Sequence, residues 1–186
     1  GKMWLHVMNE PSLFMKAFEV QRTIDWLVKF IGLAAPENCY CVLGNFADRH
    51  PAIIGGMWDP ITWPLLRKIA EFPKLMKLGL HFYGPDALDG VIIALNETCK
   101  ELRIAPPQVV GTEFGLDSTG PDDTKNGFDN RGMTGEGFAG WQEGVVQGPL
   151  KRFFASRQLV GLQTFQWNPL WGAFNIANNE GYQKAY

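Results

Sequence analysis

Residues 77–84, KLGLHFYG, read as a strand that ends on a histidine and a tyrosine, and the chain is organised around it. A helical segment precedes it at about 61–71, with Pro64 tolerated in the first turn. A second follows, marked on one face by Leu88, Val91, Ile92, Leu95, Cys99 and Leu102, and Pro106 and Pro107 close it. Further out, the apolar runs 3–8 (MWLHVM), 39–44 (CYCVLG), 108–115 (QVVGTEFG) and 159–168 (LVGLQTFQWN) read as four more strands. Between the first two lies a helix that Ser12 can cap. Leu13, Phe14, Ala17, Phe18, Ile24, Leu27, Val28 and Ile31 line it at helical spacing, and Gly32 and Pro36 end it. Residues 45–60 read as a long Gly- and Pro-containing loop, and 116–135 as a polar one. A helical stretch over about 138–157 is interrupted at Pro149, and the tail after 168 reads as loop with a short final helix.

Strands alternating with helices predict a parallel α/β fold. Both a doubly wound sheet and a barrel satisfy the alternation. A dinucleotide-binding sheet is disfavoured because no GxGxxG follows a strand, and no P-loop is present.

Composition narrows the function. The chain has 186 residues, 46% hydrophobic and 19% charged, which suits a single folded domain. Its 17 basic and 19 acidic residues form no basic stripe, so nucleic acid is not expected as a partner. No apolar stretch reaches the ~18 residues of a membrane span. Three cysteines argue against a disulfide framework. Cys39 and Cys41, two apart in a strand, are expected on one face as small buried hydrophobes. No metal-ligand spacing is present, so no metal is expected. The opening GKMWLHVMNEP is not a signal peptide; it starts inside a strand, as the cut end of a longer chain would.

Chemistry concentrates at strand ends. The first strand closes on Asn9-Glu10-Pro11, the third on His81-Phe82-Tyr83 and the fourth on Thr112-Glu113-Phe114-Gly115. In a (β/α)8 barrel the carboxy ends of all strands line one pocket, so Glu10 and Glu113 would converge despite their separation in sequence.

This set resembles clan A of the glycoside hydrolases, whose best-known member is family 5. That family carries Asn-Glu at the end of strand four, His-x-Tyr at the end of strand six, a second Glu at strand seven and Trp at strand eight. Asn9-Glu10, His81 with Tyr83, Glu113 and Trp167 match in that order. The resemblance implies a TIM-barrel fold of which residues 1–186 hold the last five β/α units, strands four to eight, as one partial domain. It implies a secreted, cofactor-independent retaining endo-β-glycosidase acting on a β-linked polysaccharide by double displacement. Glu10 would be the acid/base and Glu113 the nucleophile, with Asn9, His81, Tyr83 and Trp167 binding or orienting the sugar. Trp58 and Trp171, in loops on the catalytic face, are expected as aromatic platforms. Trp4, Trp26, Trp63 and Trp141 read as structural. The acidic loop with Asp117, Asp122, Asp123 and Asp129 reads as solvated, since its spacing matches no EF-hand.

Every one of these residues also has a bland reading: Asn9 as a helix cap, His81 as a satisfied core histidine, Tyr83 and Trp167 as packing. A full barrel takes ~250 residues, and strands one to three are absent from this chain. A second chain that supplies them, or membership of a larger hydrolase, would complete the site. The alternative is a non-catalytic carbohydrate-binding or assembly module on a degenerate barrel.

Overall fold

The computed structural model describes residues 3–8, 17–46, 51–83, 85–115, 140, 144, 148 and 150–164; for 17, 82, 83, 85–89, 113–115, 163 and 164 the backbone alone is described. Five strands form one parallel sheet: β1 (Leu5–Val7), β2 (Cys41–Phe46), β5 (Met76–Tyr83), β6 (Val109–Gly115) and β7 (Leu159–Thr164). They lie side by side in the order of the chain, β1-β2-β5-β6-β7. The crossovers carry α1 (Ala17–Ala34), α2 (Trp63–Glu71) and α3 (Pro85–Leu102), and the last contains the short α4 (Lys151–Ala155). Within the crossover from β2 to β5, β3 (Ile53–Ile54) and β4 (Met57–Trp58) pair antiparallel as a small hairpin.

The described helices α1, α2 and α3 bury their apolar stripes against the same face of the sheet. Ile24, Leu27 and Ile31 of α1, Leu65, Leu66 and Ile69 of α2, and Val91, Ile92 and Leu95 of α3 join one core. The strand residues in that core alternate: Cys41 and Leu43; Met76, Leu78 and Leu80; Val109; Leu159. Register puts Val42 beside Lys77, and Gly79 beside Val110 and Gly161, on the opposite face. Burying one large aliphatic side chain contributes roughly 1.5–3 kcal/mol, so this shared layer dominates the stability.

Several sequence expectations change. Helix α1 runs through Gly32 to Ala34, and Phe18, expected on its apolar face, is 58% exposed. Only the α1 stripe that meets α2 and the sheet is covered, which leaves Phe18 and Trp26 outside it. Cys39 and Cys41 do not share a buried face. The strand begins at Cys41, and Cys39 sits in the preceding turn after Asn38 (φ 54°), exposed, while Cys41 is buried. Burial raises the Cys41 thiol pKa, with a smaller contribution from Cys39. Residues 53–58 are a hairpin rather than irregular loop, turned by Gly55 (φ 59°) and Gly56 (φ 81°). Among the described residues no helix is long and apolar enough to cross a membrane.

Candidate active site

The carboxy ends of neighbouring strands deliver the polar residues to one rim. Along β5 and β6 the ladder runs Leu78 with Val109, Gly79 with Val110 and Leu80 with Gly111. It then slips by one residue, so that His81 stands opposite Glu113 and Tyr83 opposite Gly115. The same extra residue appears on the other side of β6, where Gly111 pairs with Leu162 but Phe114 with Thr164. A bulge at Thr112 accounts for both shifts, and the Thr112 hydroxyl bonds the Leu80 carbonyl at 3.3 Å to pin it. In an even ladder of the same sequence, position 112 rather than 113 would stand opposite His81. With the bulge, positions 81 and 113 become lateral neighbours on adjacent strands, about 4.8 Å apart along the hydrogen-bonding direction. His81 itself is 2% exposed.

A second irregularity lies at the end of β2. Leu43 pairs with Leu78 but Phe46 with Leu80, so Gly44 and Asn45 together oppose one residue of β5. Gly44 (φ 87°) and Asn45 (φ 41°) both take left-handed backbone, which only glycine and, more rarely, asparagine adopt readily. The bulge returns Phe46 to the core and leaves the Asn45 side chain buried at the strand end. There its Nδ2 donates to the carbonyl of Met8, the residue that follows β1. Met8 is itself left-handed (φ 67°), an outlier for so long a side chain. Gly79 makes room for the amide: a Cβ there would overlap the Asn45 Oδ1 and approach Val42 Cγ1 to 2.9 Å. Strained backbone gathered at one edge of a sheet is common where a site is being held in shape.

The sequence-predicted residues divide accordingly. His81 and position 113 are brought together across β5 and β6, and Tyr83 lies two residues further along β5. Asn9, Glu10, Trp167 and Trp171 lie outside the described residues. Trp58 is not a sugar platform. It is fully buried, packed edge-on against Phe46 with ring centroids 6.3 Å apart. Its indole Nε1 donates to the Val91 carbonyl at 3.0 Å, and its backbone N–H to the Thr98 hydroxyl at 2.8 Å, which ties the hairpin to α3. The loop reading exposed it on the catalytic face; the hairpin folds it into the helix layer instead. Asn45 was missed, although a Gly-Asn pair closing an apolar strand is a visible sign of left-handed backbone. Among the described residues no group of three or more His, Cys, Asp and Glu could hold a metal ion.

Comparison of the chain with protein-family models, with curated proteins and with solved structures found no match.

Proposed function

We propose that the chain is the strand-four-to-eight portion of a (β/α)8 barrel and forms the catalytic half of a retaining endo-β-glycosidase. Two features of the fold support the barrel. The strands follow chain order with no reversal, so the sheet has no switch point of the doubly wound kind. The described helices share one face of the sheet and leave the opposite face, which carries Val42, Lys77, Gly79 and Val110, to line the interior that closure of a barrel would form. The strands missing from the chain would come from a longer polypeptide or from a second chain.

The observation that carries the catalytic reading is the Thr112 bulge, which sets position 113 opposite His81 where two strands end. In the proposed mechanism Glu113, ionised, attacks the anomeric carbon of a β-linked sugar while Glu10 donates its proton to the departing glycosidic oxygen. The bond to the aglycone breaks and an ester bond to Glu113 forms. Glu10, now a carboxylate, takes a proton from water; that water displaces Glu113 and releases the sugar with its original configuration. His81 and Tyr83 would hold Glu113, and Asn9 the 2-hydroxyl. Trp167 and Trp171 would meet the sugar rings. No cofactor is needed.

Glu113→Gln and Glu10→Gln in the full-length protein, assayed on β-glucan, mannan and xylan, test this. Each should lower kcat by at least about 100-fold, within the range that acid–base and nucleophilic groups supply. A wild-type protein inactive on every β-glycan would sink the proposal. Glycan binding without turnover, unchanged by both substitutions, would mark a binding module instead.

A further inference from the structure

We propose that Asn45 is a positioning residue for the acid/base: its side-chain amide fixes the end of β1 from which Glu10 is presented. The inference rests on the hydrolase reading above. Asn45 is 3% exposed and its Nδ2 donates to the Met8 carbonyl, two residues ahead of Glu10 in the sequence. The backbone ladder between β1 and β2 has its last pair at Val7 and Leu43, so the side-chain amide takes over where main-chain pairing stops.

Several independent features maintain that contact. The Gly44–Asn45 bulge turns the side chain out of the ladder, and the bare Gly79 gives it space. The amide orientation follows from its partner, because the reverse would set two oxygens against each other. Among the described residues the remaining atom, Oδ1, is buried without a hydrogen-bond partner. An orphaned buried acceptor is a cost that a residue kept for packing alone need not carry.

A general acid works only within hydrogen-bond reach of the leaving oxygen, and a shift of about 1 Å can cost on the order of 100-fold. The loss falls on substrates that need the proton. A phenolate leaving group does; a 2,4-dinitrophenolate departs without it. The experiment compares wild type, Glu10→Gln, Asn45→Gly and Asn45→Asp on the phenyl and 2,4-dinitrophenyl β-glycosides of the sugar the protein cleaves. Glycine keeps the left-handed backbone and removes the amide; aspartate keeps the shape and removes the donor. Each Asn45 variant should lose about 100-fold in kcat/KM on the phenyl glycoside and less than about threefold on the dinitrophenyl one, the pattern of a displaced acid. Equal losses on both substrates, or no loss, overturn the positioning role. If Glu10→Gln shows the split and the Asn45 variants do not, only this inference fails. If wild type cleaves neither glycoside nor any β-glycan, the hydrolase reading fails first. Far-UV circular dichroism checks folding: if Asn45→Gly unfolds, Asn45→Asp carries the test, and if both unfold the role is structural and the inference falls.

Discussion

Trp58 and Thr98 show how a buried residue can be mistaken for a surface one. The Thr98 hydroxyl accepts the Trp58 backbone N–H and donates to the Ala94 carbonyl at 2.8 Å, so both groups are satisfied away from water. Trp58→Ala should therefore destabilise the protein by about 3–5 kcal/mol in urea denaturation. Trp58→Phe, which removes the indole bond to the Val91 carbonyl and part of the buried ring, should cost about 1–3 kcal/mol and leave KM for a glycan unchanged. A raised KM at unchanged stability would return Trp58 to the substrate. The sequence carries the sign: Ile53-Ile54-Gly55-Gly56-Met57-Trp58 is a hairpin signature, two apolar pairs around two glycines, and in a hairpin Trp58 lies on a face rather than at a loop tip. Cys99 makes a second prediction. Burial pushes its thiol pKa from 9.0 to about 11. The unfolded chain releases that proton first, so the stabilisation is complete below about pH 9 and is lost as pH climbs towards 11. Thermal midpoints measured between pH 9 and 11 should fall in wild type and fall less in Cys99→Ala.

At the scale of elements, the strands and helices around the core were legible because their apolar spacing is strong. The segment 77–84 became β5 over Met76–Tyr83, and Val91, Ile92, Leu95, Cys99 and Leu102 are the buried face of α3. The bulge at Thr112 was not legible. A one-residue slip changes no composition and no periodicity, and it exists only relative to the neighbouring strands. Its effect is nonetheless decisive for β6, since it determines whether position 112 or 113 stands opposite His81. Inserting one alanine between Thr112 and Glu113 should push Glu113 one place past His81, keep the far-UV circular dichroism of the folded protein and lower kcat by more than about 100-fold, as misplacing a reacting group by an ångström or more does. An insertion variant that folds and turns over at the wild-type rate would mean that the register at His81 is irrelevant to the site.

For the whole molecule, the order of the strands decides what the two carboxylates can do. β1 and β6 are separated by three steps across the sheet, about 14 Å if it were flat. In the proposed mechanism Glu10 and Glu113 must come within roughly 5–5.5 Å for direct attack, which needs the strands to curl towards each other as they would in the proposed barrel. The stereochemistry of the first product measures this. Proton NMR of the fresh hydrolysate should show the β-anomer; an α-anomer would mean a gap wide enough for water and an inverting enzyme. The sequence conveyed the alternation of elements and the strand-end motifs but not the curvature, which depends on the packing of the strands and not on any one of them. The hairpin between β2 and α2 has a practical use. Its Gly55–Gly56 tip is exposed, a Cβ on either glycine would meet nothing within 4 Å, and Trp58 clamps its base. A peptide tag or a dye-bearing cysteine inserted between those two glycines would hang free in solvent, giving a handle for immobilising or tracking the protein that leaves the parallel sheet untouched.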